Sequence, residues 1–173
     1  MALLSEEQTL IKDQAVSWVR DESPVTQFRA MRDSGAPLGF FPDTWTAMVN
    51  MGWTGMLVPE AYGGSGLGHL TFGLVLEQLG RHLTASPLFA SALVGASALM
   101  KAGSEAQKTS LLPKIADGSA VVSLALEERT RHHPEATALL AERSDGGFTL
   151  SGEKTFVMEG MAATHFEIGR AHV

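Results

Sequence analysis

Apolar positions recur at helical spacing through the first two-thirds of the chain and at shorter, strand-like spacing after Gly118. Ser5 with Gln8 makes a capping box, and Leu10, Ile11, Ala15, Trp18 and Val19 then share one helical face. Residues 21–42 carry Pro24, Gly35, Pro37, Gly39 and Pro42, which predicts a loop with a short helix over Thr26–Arg32. Asp43 is the expected cap of a short helix bearing Trp45, Met48 and Val49, closed by Gly52. Glycines and a proline crowd residues 52–66 and predict a constrained, irregular loop. A long helix follows over His69–Leu83, with Phe72, Val75, Leu76 and Leu79 inward. Ser86 and Pro87 open the next, over Leu88–Met100, which ends near Gly103. Ser104 with Gln107 caps another, broken near Pro113.

Strands are expected over Ala120–Leu126, Thr137–Glu142, Phe148–Leu150 and Lys154–Met158, with Asp145-Gly146 as a hairpin turn. A helical block followed by a strand block predicts an α+β chain with a domain boundary near Asp117-Gly118. Residues 1–117 form the all-α domain and 118–166 an incomplete antiparallel β-domain. A half-made sheet of this kind carries open edges and apolar faces, so poor solubility is expected. Glu167 to Val173 reads Glu-Ile-Gly-Arg-Ala-His-Val and looks like a translated sequencing adaptor, so the fold reading sets 167–173 aside as a tail.

Composition narrows the function classes. The 173 residues are 45% hydrophobic and 18% charged, which suits an ordinary globular chain. A formal net charge of −6 disfavours nucleic acid, and the densest basic patch, Arg129 to His133, is short. The chain has no cysteine, which removes disulfide frameworks and thiolate metal sites. Leu88–Met100 is too short to span a membrane, and the first residues lack the pattern of a secretory leader. A cytoplasmic protein is expected.

Four stretches together resemble the acyl-CoA dehydrogenase family. They are Gly52 to Gly66, with Pro59-Glu60-Ala61-Tyr62-Gly63-Gly64 at its centre; Leu76 to Gly80; Gly103 to Gly118; and Leu150 to Val157. The resemblance implies an N-terminal helical domain, a middle β-domain and a C-terminal helical domain absent here. It also implies bound FAD, an acyl-CoA substrate oxidised to its 2,3-enoyl form, an electron-transfer acceptor and a homo- or hetero-oligomer. The family's carboxylate base comes from the missing part, so no catalytic residue is assigned. Glu60, Glu77, Glu127 and Glu128 are read as surface, cap or turn carboxylates.

The resemblance places flavin contacts at Leu124 and Leu126, on the first strand, and at Phe156 and Met158. Leu126 stands where the family has threonine, and Met158 stands at a second threonine. Glu128 replaces a proline, and residues 129–134 replace a glycine-rich turn that contacts the acyl group. Two hydroxyl donors are therefore missing, each ordinarily worth about 0.5–1.5 kcal/mol. That leaves three readings open: a dehydrogenase fragment, a non-catalytic subunit of a heteromeric dehydrogenase, or a flavin monooxygenase on the same scaffold. Gly63, Gly64, Gly66 and Gly68 are read as a structural turn, since the lysine of a phosphate-binding loop is missing. His132-His133 are read as solvent-exposed loop histidines, not as metal ligands.

Overall fold

A computed structural model describes residues 3–170. Helix α1 (Glu6–Glu22) starts where the pattern predicts. The Ser5 hydroxyl accepts from Gln8 N, and the Gln8 side chain returns a bond to Ser5 N. Such a cap stabilises a helix by roughly 1 kcal/mol. Helix α2 (Val25–Ser34) closes on Gly35, whose left-handed φ of 64° ends the spiral. In α3 (Pro42–Asn50) Phe41 takes the cap position and Pro42 the first turn, so Asp43 lies inside the helix rather than capping it. Proline's fixed φ suits that first position and sets the start two residues earlier than expected.

Helix α4 (Gly68–Arg81) packs along α1, and the contact is the heart of the molecule. Ala15, Trp18 and Val19 of α1 meet Phe72, Val75 and Leu79 of α4, with Met48 and Leu88 closing the cluster. Each large side chain so buried stabilises the fold by roughly 1.5–3 kcal/mol before entropy. Trp18 and Trp53 meet edge to face at 4.8 Å between ring centroids.

Between α3 and α4 the chain makes two single 3₁₀ turns, Trp53–Gly55 and Glu60–Tyr62. Gly55 O accepts from Val58 N and Ser65 N, Val58 O from Gly66 N, and Met56 O from Leu67 N. The glycines close this knot upon itself, as the structural-turn reading has it. A Cβ on Gly64 would sit 2.0 Å from Val58 O, so only glycine fits there.

The expected helix over Leu88–Met100 is interrupted. Phe89–Gly95 is a π-helix, followed by α5 (Ala96–Ala102). The π segment packs on the first strand: Ser91 Oγ accepts from Val122 N at 3.0 Å, and a Cβ on Gly95 would approach Val122 O to 2.8 Å. Helix α6 (Glu105–Ala116) runs through Pro113 without breaking, because Leu112 and Ile115 on either side are buried and hold it in place. Thr54 Oγ1 donates to Ala116 O at 2.6 Å, and Trp45 Nε1 to Gly118 O at 3.0 Å.

Past Gly118 the described residues form four strands in two pairs. The hairpin of β2 (Leu140–Ser144) and β3 (Gly147–Ser151) is antiparallel, turning at Asp145-Gly146 as predicted. Strand β1 (Val122–Ala125) instead pairs in parallel with β4 (His165–Ile168), because the hairpin carries the chain back to start again in the same direction. The expected start of the second strand at Thr137 moves to Leu140, since Ala138 N and Leu139 N are committed to Glu128. Lys154–Met158 is not a strand. Phe156 has φ +51°, outside the extended region, and its neighbours bond to the end of β1. Glu167 and Ile168, set aside with the tail by the sequence reading, lie in β4; residues 171–173 of that tail fall outside the described residues.

Candidate functional site

The strand block meets the helices along β1. Val122, Leu124 and Leu126 stand at alternate positions and so share one face of the extended segment: Val122 meets the α5–α6 cluster, and Leu124 and Leu126 follow further along. Around Leu124 and Leu126 this face opens onto a groove of about 410 Å³. Ala98, Ala102 and Leu111 form its helical wall and Phe166 its strand wall. Phe156 and Met158 lie outside this groove. Phe156 is 74% exposed and Met158 45%. The four expected flavin contacts therefore fall into two pairs, one lining a groove and one displayed on a turn.

What joins the pairs is a polar clamp. Lys154 Nζ donates to Leu126 O at 3.0 Å and to Glu128 Oε1 at 2.7 Å. Both partners of the ion pair are largely buried, with 7% of the Lys154 and 12% of the Glu128 side chain exposed. The Glu128 carboxylate also accepts from Ala138 N at 2.6 Å and Leu139 N at 2.9 Å. Lys154 first, then these two N–H groups, holds its pKa down to about 2. Thr155 N donates to Glu127 O, and Thr155 Oγ1 to Arg129 O. The segment before Phe156 is thereby stitched to the loop after β1.

Glu127 organises the other side of that loop. Its carboxylate takes His132 Nδ1 and the N–H of His133, and the latter bond leads the causes that lower its pKa. Glu77 pairs with Arg81 one helical turn on, and Glu60 opens a 3₁₀ turn. Of these four, Glu77, Glu127 and Glu128 are engaged with partners. Glu167 differs: burial pushes its pKa up to about 7, and its Oε2 is buried without a hydrogen-bond partner. Among the described residues no group of three or more His, Asp or Glu could hold a metal ion.

Sequence reasoning missed the Glu128–Lys154 clamp. Its signal was present, a carboxylate in a proline's place and a lysine some 26 residues on, but pairing them needs the fold. Exposed Phe156 offers an aromatic face, and neither Leu126 nor Met158 carries a side-chain hydroxyl.

Comparison with known proteins agrees with this architecture. The acyl-CoA dehydrogenase N-terminal domain matches residues 5–119. The chain belongs to the acyl-CoA dehydrogenase family. It is 30% identical over 161 residues to the mitochondrial isovaleryl-CoA dehydrogenase of Pongo abelii, covering 91% of this chain and 37% of that protein. Among solved structures, a variant of the Tcur3481-Tcur3483 steroid ACAD superposes with a TM-score of 0.82 at 31% identity, over 94% of this chain and 44% of the other. A chain of the ChsE4-ChsE5 complex from Mycobacterium tuberculosis shares the fold at TM-score 0.81 and 23% identity, over 96% and 44%. The chain thus spans less than half the length of these relatives. Among the described residues no helix is long and apolar enough to cross a membrane.

Proposed function

We infer that this chain is the N-terminal portion of an FAD-dependent acyl-CoA dehydrogenase whose complete protein oxidises an acyl-CoA thioester to the 2,3-enoyl form. The observation that carries the reading is the family match across residues 5–119, continued by a strand block that displays Phe156 beside the end of β1. FAD, when bound, would supply the hydride-accepting centre. Phe156 would pack on its ring, with Met158 beside it, and the backbone around Leu124 and Leu126 would face its polar edge. Lys154 and Glu128 fix the distance between those two places. The base that removes the substrate's α-proton lies beyond this chain, as does the rest of the site. An electron-transfer acceptor, an oligomeric assembly and a cytoplasmic setting complete the reading; the lack of cysteine suits a reducing compartment.

The test is the uninterrupted gene product. A yellow protein with stoichiometric flavin, bleached by an acyl-CoA, is expected; the 173-residue chain alone should not reduce an acceptor. A complete protein that binds no flavin and oxidises no acyl-CoA in any assembly would overturn the reading.

Leu126 and Met158 favour a second reading. With both hydroxyls gone, the chain suits a subunit that shapes a heteromeric dehydrogenase while its partner holds the flavin. The similarity to a chain of a two-component complex supports it. Purified alone, the complete protein would then be colourless and would restore activity only when mixed with its partner. Flavin bound to the protein in isolation would dismiss this version.

A further inference from the structure

Two loops, one from each half of the chain, face each other across a groove of about 490 Å³. Pro37, Leu38 and Gly39, between α2 and α3, form one side; Glu159, Gly160 and Met161, on the turn before β4, form the other. The rim is apolar and bare, with Met161 79% and Leu38 37% exposed. Between them stands a single charge. Among the described residues the Glu159 carboxylate has no hydrogen-bond or ion-pair partner, and burial alone pushes its pKa up. Asp21, Asp33, Glu77, Glu105 and Glu128, by contrast, each sit against a basic side chain at 2.7–2.9 Å.

The carboxylate is carried on a fixed turn. Glu159 has φ +51°, a region that glutamate seldom takes. Gly160 N donates to Val157 O at 3.2 Å and Ala162 N to Glu159 O at 2.9 Å, which keeps it there. Strain of this kind persists only where the surroundings impose it, and binding sites are where it collects. A groove with apolar lips and one unanswered negative charge suits a cation on an apolar stem. Arginine meets both demands. Its guanidinium is more weakly hydrated than an ammonium and forks onto both oxygens of a carboxylate, while its methylenes lie along apolar surface. A free guanidinium compound would leave Leu38 and Met161 in water; a protein surface covers them as well.

We propose that the groove between residues 37–39 and 159–161 docks a partner protein through an arginine flanked by apolar side chains. The net charge of −6 draws such a cationic surface in, and Glu159 fixes where its arginine lands. This goes beyond the dehydrogenase reading and stands apart from it, since neither flavin nor thioester enters.

Nuclear magnetic resonance titration of the 173-residue chain tests the assignment with three probes. They are a capped peptide Ala-Leu-Arg-Leu-Ala, the same peptide with citrulline in place of arginine, and butylguanidinium. The arginine peptide should shift the Gly39 and Gly160 amides and bring the Glu159 carboxyl pKa back down, and should bind more weakly as salt is raised. Citrulline keeps the shape and loses the charge, so its peptide should bind about tenfold more weakly. Butylguanidinium, which leaves the rim bare, should also bind about tenfold more weakly than the arginine peptide. Glu159→Gln should bring the arginine peptide down to the level of the citrulline one. Met161→Ser should weaken it severalfold, and Glu60→Gln, on the 3₁₀ turn before α4, should leave it unchanged. The Thr164 amide, bonded to Val121 O and unmoved in each variant, would show that the fold around the turn is kept. Equal binding of the two peptides, or no shift at Gly39 and Gly160 with any probe, would overturn the proposal. So would butylguanidinium binding as tightly as the arginine peptide, which would make this a place for small cations. A dimer of the chain that Glu159→Gln dissolves would overturn it too, since a second copy would then fill the groove. None of these results touches the dehydrogenase reading, which is decided by flavin absorbance and turnover of the complete protein.

Discussion

The two halves of this chain are held by different forces. Before Gly118 the molecule is closed by apolar burial: Phe72, Met48, Leu88, Leu112 and Ile115 are almost wholly removed from water. In the hairpin and β4, apolar side chains face outward, with Phe148 56%, Leu150 49% and Phe166 49% exposed. Order there comes from directed polar bonds, chiefly those of Glu127, Glu128 and Lys154. The helical half is a finished core. The strand half is a surface whose apolar side still wants covering, and two carboxylates hold its loops meanwhile.

Mutation should separate the halves sharply. Phe72→Ala, in the finished core, is expected to lower unfolding free energy by about 3–5 kcal/mol in denaturant titration. Gly64→Ala, which drives a Cβ into Val58 O, should cost about 1–3 kcal/mol. Phe148→Ser, on the open face, should change stability by no more than about 0.5 kcal/mol while raising solubility in a sedimentation assay. Equal losses from Phe72→Ala and Phe148→Ser would erase the distinction between closed and open halves.

Acid sharpens the same contrast. The folded pKa of Glu128 is held at about 2, well below the ordinary 4.5. Its contribution is complete above the unfolded value and is lost as pH falls from there towards the folded one. Protection of the Ala138 and Leu139 amides, taken against the intrinsic exchange rate at each pH, should therefore be lost across that window in the parent chain, whereas in Glu128→Gln it should be low throughout. Glu167 acts with the opposite sign. Its folded pKa is raised to about 7, so its penalty is full above that value and fades as pH drops towards 4.5. Glu167→Gln should remove this slope and raise the melting temperature slightly at neutral pH.

Helices were legible because their signals are local. Ser5 with Gln8 and Ser104 with Gln107 announced two helix starts, and both boxes close as written. The strands' existence was legible, their partners less so. Nothing near Ala125 says that its neighbour will be Ile168, because pairing is set by how the intervening hairpin folds. Lys154 to Met158 holds the strand-favouring residues Thr155, Phe156 and Val157, yet the clamp to Leu126 and Glu128 overrides that preference. The π segment was invisible too: its cause is the close packing of Gly95 and Ser91 on β1, a contact between residues far apart in sequence. For the candidate site, the sequence named single positions on each segment, but the bonds that bring the segments together belong to the tertiary structure.

Ser91 carries one more consequence. By offering its hydroxyl to the amide of Val122 and directing its proton towards Ala120 O, a helix residue occupies a place on the margin of β1 that a neighbouring strand would otherwise take. At Val122 the margin is thus occupied by a helix, and one amide that could template a foreign chain is already bound.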